Sequence, residues 1–132
     1  MSDERLRANY ALLDFQEHLG ASPAGLDVPW AEFVGDRSSK RTFAVPTDRP
    51  RQSYFSLQAF DVGEYGHEVL INGESVSGFD IPPADGWQYW MDTITGTELH
   101  GGENTVQIRR HRAEEDEFVV GTLAVHWKEP EE

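Results

Sequence analysis

The sequence predicts an all-β protein, a two-layer antiparallel β-sandwich of about eight short strands. Three observations carry this expectation. Short apolar runs recur at near-regular spacing between clusters of Gly, Pro, Asn and Asp. No segment alternates strands with long amphipathic helices, and no internal repeat is present. Several runs alternate apolar and polar residues, above all Thr105-Val106-Gln107-Ile108-Arg109, which gives one apolar and one polar face. SH3-like and OB barrels need fewer strands than this chain supplies.

The densest signals lie in residues 66–110. Val69-Leu70-Ile71 runs into Asn72-Gly73, a dipeptide that tolerates the two positive φ angles of a type I′ hairpin turn, and Val76 and Phe79 follow on the return. Pro82-Pro83 cannot donate ladder hydrogen bonds and predicts an extended connection. Asp85-Gly86 predicts a second turn just before the aromatic run Trp87-Gln88-Tyr89-Trp90, where a new strand begins. Leu99, Gly101-Gly102 and Asn104 then reverse the chain into the strand at 105–109.

The remaining elements follow in chain order. Ser2-Asp3-Glu4-Arg5 has the composition of a helix cap, but the stripe behind it fits a helix only in part; Ala11, Leu13, Phe15 and Leu19 predict a strand over roughly 9–18. Residues 20–29 are a loop by composition. Trp30, Phe33 and Val34 form an apolar knot, expected as a buried helical turn plugging one end of the sandwich. Residues 35–40 are a polar turn, 42–45 a short strand and 46–51 a loop. In 53–62, Phe55, Leu57 and Ala59 alternate with Ser56 and Gln58, which predicts a central strand. Arg109-Arg110-His111-Arg112 meets Glu114-Glu115-Asp116-Glu117 in a charged hairpin, where cross-strand pairing is expected. The last long strand, 118–127, is apolar on both faces, with Phe118, Val120, Thr122, Ala124 and His126 on one side. Residues 129–132 form a solvated acidic tail. The expected core contains Phe55, Leu57, Val69, Ile71, Val106, Ile108, Leu123 and Val125.

These motifs carry a resemblance. The "LING" strand end, the aromatic segment and the element Leu99-x-x-Gly102-x-Asn104-x-Val106-x-Ile108 resemble the galactose-binding-like jelly-roll superfamily. That superfamily includes β-sandwich modules of many glycosidases and numerous carbohydrate-binding modules. The resemblance covers mainly residues 52–128 and implies fold more than function. The whole chain also resembles uncharacterised small acidic domains encoded in haloarchaea.

Length and charge narrow the function classes. A chain of 132 residues fits one domain, 1–132, able to bury roughly two-thirds of its unfolded surface. Against 24 acidic residues stand 11 basic ones, of which only Lys40 and Lys128 are lysine, and the formal charge is −13. This bias suggests a halophile: at molar salt the Debye length falls to about 3 Å, so repulsion among surface carboxylates is screened while their solvation remains. The same charge argues against nucleic acid and anionic membrane as partners. The absence of cysteine excludes disulfides, thiolate metal sites and cysteine nucleophiles. No apolar run has the length of a membrane helix and the N-terminus lacks the pattern of a secretory signal, so the expected location is the cytoplasm.

The strongest candidate site is aromatic. Sugars present apolar C–H faces that stack on rings, and Trp87 and Tyr89, beside Asp85, Gln88 and Asp92 as hydroxyl partners, make a candidate ligand-binding set. In a strand Trp87 and Tyr89 share one face and Trp90 takes the other, which is assigned to the core. His18, His67, His100, His111 and His126 show no metal-ligand spacing and read as surface or core residues. Asp61, Glu64, Glu68 and Asp116 are candidate calcium oxygens, but 24 acids make such a grouping cheap and no EF-hand spacing occurs. No metal or cofactor is therefore expected. Gly73-Glu74-Ser75-Val76-Ser77 misses the nucleophile elbow at its last position, and no phosphate-cradling loop exists. Arg109, Arg110 and Arg112 read as a solvated hairpin before an anion site. The leading expectation is a non-enzymatic binding module with a carbohydrate or protein ligand at loop-end aromatics. The alternative is an assembly protein that forms a homo-oligomer through a sheet face, with a small hydrolase third.

Overall fold

The predicted sandwich is the one observed. In a computed structural model that describes residues 5–111 and 115–131, nine strands occur among the described residues. They are β1 (Leu6–Leu19), β2 (Glu32–Gly35), β3 (Arg41–Val45), β4 (Arg51–Val62), β5 (Glu68–Ile71), β6 (Glu74–Ser75), β7 (Ala84–Thr93), β8 (Gly102–Arg109) and β9 (Phe118–Pro130). The larger sheet has the order β2-β1-β9-β4-β7 and the smaller one β3-β8-β5-β6. All pairings are antiparallel except β1 with β2.

Alternation explains the core. All eight expected core residues, from Phe55 to Val125, are at most 2% exposed. They join Leu13, Phe15, Leu19, Val45, Ile81, Phe118 and Trp127 in one apolar cluster between the sheets. The Asn72-Gly73 turn closes β5 onto β6, with Ile71 opposite Glu74 and φ angles of 53° and 83° at the two turn residues, as a type I′ turn requires. The glycine-asparagine motif has a structural explanation. The side-chain amide of Asn104, fully buried, donates to the carbonyls of His100 and Gly102 and accepts from the His100 amide and from Asn72 Nδ2. Asn72 in turn accepts from the Thr105 amide and donates to the Glu98 carbonyl. Two asparagines thus satisfy backbone groups of the 98–105 reversal that the β3–β8 ladder does not reach.

Several expectations need correction. Trp30, Phe33 and Val34 form no helical turn: β2 pairs parallel to β1 through His18 and Phe33, and Trp30 is 48% exposed. Asp85-Gly86 makes no turn either. Ala84 pairs with Val62 and Trp87 with Phe60, so both residues lie inside β7 at a bulge opposite Asp61, whose carboxylate accepts from the Gly86 amide at 2.6 Å. In β9 the assigned phase holds only in part. Ala59 pairs with Val120 but Leu57 with Leu123, so β9 carries an extra residue at Gly121-Thr122. Phe118 and Val120 therefore share the core side with Leu123, Val125 and Trp127. The tail is less solvated than expected: Glu129 is buried and accepts from Arg7, Asn9 and the Trp127 indole.

The charged hairpin also pairs differently. Arg109 bonds Glu68 at 2.6 Å and Arg110 bonds Asp36 at 2.6 Å. Residues 112–114, like the helix cap proposed at Ser2-Asp3-Glu4, lie outside the described residues. Asp116 and Glu117 instead hold two histidines beneath the start of β9. His67 Nε2 lies 2.6 Å from Asp116, and its Nδ1 accepts from the His111 amide, so the ring proton is on Nε2 and donates to the carboxylate. His18 Nε2 lies 2.7 Å from Glu117, which also accepts from the Ala21 amide. No helix among the described residues is long and apolar enough to cross a membrane.

Candidate functional site

β7 is the edge strand of the larger sheet, and its pairing with β4 decides what its aromatics can do. Trp87 sits opposite Phe60, Tyr89 opposite Gln58 and Met91 opposite Ser56. Directly opposed residues share a face. Since Ala59, Leu57 and Phe55 point into the core, Phe60, Gln58 and Ser56 point out, and Trp87, Tyr89 and Met91 point out with them. Trp87 is 50% and Tyr89 58% exposed. They stand on the open face of the sheet, within the strand and not at its loop end.

Two neighbours hold Trp87. Its ring lies 5.2 Å from that of Phe60 and 5.7 Å from that of Trp30, which itself meets Phe60 edge-on at 5.5 Å. Beneath it lies Gly121 of β9, where an added Cβ would meet the Trp87 ring at 2.9 Å. The missing side chain at Gly121 is therefore what lets the indole settle on the sheet. Trp87 and Tyr89, with Gln16, Gln58 and Gln88, line a shallow recess of ≈390 Å³. Gln58 Oε1 receives only a long 3.4 Å bond from the Thr122 amide, and its Nε2 has no partner among the described residues. Gln16, at a β1 bulge with φ 47°, also lines it and has no side-chain hydrogen bond among the described residues.

The polar residues expected to serve this site divide. Gln88 and Asp92 pair with Ala59 and Phe55, which turns their side chains to the opposite side of β7 with Trp90, although both residues still border recesses along the strand. Gln88 is committed: its Nε2 donates to the Pro82 carbonyl and its Oε1 accepts from the Trp90 indole. Asp92 accepts from the Thr93 amide. Asp85 is exposed at the bulge, with no side-chain hydrogen bond among the described residues. Trp90 corrects an expectation. It faces the core side opposite Leu57 yet is 44% exposed, because the edge strand extends past the cover of the smaller sheet.

The open face continues towards the other end of the sheet. Tyr54 stacks on His126 with ring centroids 4.4 Å apart and planes 6° from parallel, and Tyr10 leans on the same imidazole at 6.2 Å. Burial lowers the pKa of His126, so the ring is neutral at pH 7. Sequence reasoning missed Gln58, Gln16, Tyr54 and His126. The alternation of 53–62 does place Gln58 outward, but only the β4–β7 pairing brings it beside Tyr89.

The calcium candidates are scattered among protein donors. Asp61 takes the Gly86 amide and Glu68 takes Arg109, while Asp116 takes His67 and the amides of Gly63 and Glu64. No group of three potential metal ligands occurs among the described residues. Burial pushes the Asp116 carboxyl up, but the hydrogen bonds from His67, Glu64 and Gly63 outweigh it and hold the pKa below the usual range.

Comparison with known proteins bears on the fold. One solved structure, the Podospora anserina GH26-CBM35 β-(1,4)-mannanase, superposes over 93% of this chain with a TM-score of 0.52 and 12% identity. The chain spans 28% of that chain's length, and at this identity the likeness concerns the fold, a jelly-roll β-sandwich. No curated protein sequence matches. A family model does, over residues 7–129, and the chain belongs to that family, described as a family of unknown function (DUF7383).

Proposed function

We propose that the protein is a non-enzymatic binding module that takes a carbohydrate on the open face of its larger sheet. Trp87 and Tyr89 supply the stacking surfaces, and the amides of Gln58 and Gln16 supply donors and acceptors for hydroxyls. Asp85 remains available at the strand's start, while Gln88 orients the neighbouring Trp90 instead of reaching a ligand. The single observation that carries this reading is the recess itself: two half-exposed rings in one line, bordered by Gln16 and Gln58, whose side-chain amides have among the described residues only the long bond from the Thr122 amide. Half-buried rings beside unsatisfied amides suit a ligand with apolar C–H faces and hydroxyl edges. The similarity to a chain named as a GH26-CBM35 β-(1,4)-mannanase supports a carbohydrate over other ligands of that description.

A second reading has its own observation. Tyr10 and Leu12, each more than 60% exposed, extend the apolar surface of the same face beyond the recess. Large apolar surface marks interaction sites, so this face also suits pairing with a second copy of the chain. Titration of tryptophan fluorescence with manno- and cello-oligosaccharides separates the two. Carbohydrate binding predicts a saturable change, weakened by Trp87→Ala and by Tyr89→Ala. No response to any sugar, together with a concentration-dependent dimer in multi-molar salt, would replace this reading with assembly. The salt-adapted habitat suggested by composition is part of the same proposal and predicts a melting temperature that rises with salt.

A further inference from the structure

We propose that the ligand of this face is a linear, uncharged polysaccharide lying lengthwise along β7, with a second stacking subsite at Tyr54. The inference rests on the carbohydrate reading above and extends it. A second recess, of ≈710 Å³, opens at the far end of β7 and is lined by Gln52, Tyr54, Met91, Asp92, Thr93 and Lys128. Tyr54 borders it with its ring held parallel to that of His126 by the near-parallel stack, so its ring direction is fixed before any ligand arrives.

Register places both recesses on one face. Phe60 pairs with Trp87 and Tyr54 with Thr93, so the two ends are six residues apart on each strand. At about 3.3 Å per residue this is roughly 20 Å. Between them lie Gln58, Tyr89, Ser56 and Met91, with Met91 54% exposed. The outward positions of β4 from Tyr54 to Phe60 and of β7 from Trp87 to Thr93 carry neither a carboxylate nor a cation. Asp92 and Lys128 border its Tyr54 end as one carboxylate and one cation, so in a chain with 24 acids among 132 residues the track carries no net charge.

The track selects its occupant. A compact ligand uses one recess and leaves the other idle, whereas a chain of sugar units presents repeated C–H faces and can reach both. Polyanionic chains are opposed by the net charge of −13. A second copy of the protein adds a further net charge of −13 to the contact, a repulsion that molar salt screens and dilute buffer does not. An uncharged polymer meets neither obstacle.

The test uses the full chain and isothermal titration with a disaccharide and a hexasaccharide from both the β-1,4-mannose and β-1,4-glucose series. In at least one series the hexasaccharide should bind at least tenfold more tightly. Tyr54→Ala and the exposed-site variant Met91→Glu should remove that gain while leaving disaccharide affinity unchanged, which also shows that the variants are folded. Trp87→Ala should weaken both ligands. Equal affinity for the two lengths, or a hexasaccharide gain that survives both Tyr54→Ala and Met91→Glu, would overturn the extended site but leave the Trp87 recess standing. Tighter binding of polygalacturonate than of either neutral hexasaccharide would overturn the choice of an uncharged chain. Failure of every saccharide to bind would overturn the inference and the carbohydrate reading together.

Discussion

Replacing Gly121 by alanine isolates the seating of Trp87 from the stability of the fold. The new Cβ would stand 2.9 and 3.1 Å from two carbons of the indole and 3.3 Å from Gln58 Oε1. Carbon atoms pack at about 3.5–4.0 Å, so the ring must withdraw by roughly half an ångström or tilt away. It has room to do so, being half exposed. Gly121 has no positive φ, so alanine is compatible with its backbone, and relief of glycine's entropy in a strand contributes about 0.5–1 kcal/mol. Crowding and entropy thus oppose each other, and stability should change by less than about 1 kcal/mol. Binding should suffer more. Loss of one well-seated ring contact of about 0.5–1.5 kcal/mol weakens Kd by roughly twofold to tenfold. Thermal melts, calorimetric titration and the tryptophan emission maximum report the three quantities separately. Unchanged affinity with unchanged emission would refute the claim that Gly121 seats the platform. So would a stability loss above about 3 kcal/mol, which would make Trp87 part of the core.

Other consequences follow from the same structure. Ile108→Ala, at a side chain fully buried between the sheets, should cost about 2–5 kcal/mol in chemical denaturation; a loss below 1 kcal/mol would contradict its place in the core. Asn104→Ala leaves the carbonyls of His100 and Gly102 and the His100 amide without their partner, at about 1–3 kcal/mol for each group that water cannot reach. Denaturation should show a loss of at least about 2 kcal/mol, with the 98–105 reversal first to exchange its amides. The melting temperature should rise with potassium chloride at neutral pH, because screening lengthens from about 3 Å at 1 M to about 10 Å at 0.1 M and the net charge is −13. Mildly acidic buffer should partly rescue the low-salt protein; a melting temperature independent of salt would sink the halophile reading. Further acidification should reverse the rescue. The Asp116 pKa is lower in the folded state, so its contribution is present above the unfolded value of about 3.9 and is lost as pH falls through the folded value. Asp116→Asn should flatten that acid limb, and an unaltered limb would show that the His67 latch does not govern it.

Much of the fold is legible because alternation survives folding. Val106 and Ile108 declare the phase of β8 by themselves, and Asn72-Gly73 names its own turn. What was not legible depends on partners distant in sequence. An extra residue at Gly121-Thr122 leaves composition unchanged, yet it reverses the phase of half of β9, and only the pairing with β4 exposes it. Trp30 reads as core by its chemistry, but it caps the rings of Phe60 and Trp87 at the rim of the open face. Trp90 points inward as alternation predicts, yet it stays exposed, since inward from an edge strand is not always under the second sheet. The site was legible in its rings and not in its polar groups. Asp92 and Gln88 are neighbours of Trp87 and Tyr89 in sequence, but period two puts them across the strand. Gln58 and Tyr54 come from β4, some thirty residues earlier, and reach the site only through strand pairing.

The most direct test of the central claim is amide chemical-shift mapping of the labelled protein during titration with a neutral β-1,4-linked hexasaccharide. The account predicts saturable shifts along β7 from Trp87 to Thr93, along β4 from Tyr54 to Phe60 and at Gly121, with the indole N–H of Trp87 among the largest. Shifts confined to loops at the ends of the sandwich, or no shifts with any neutral glycan, would contradict it.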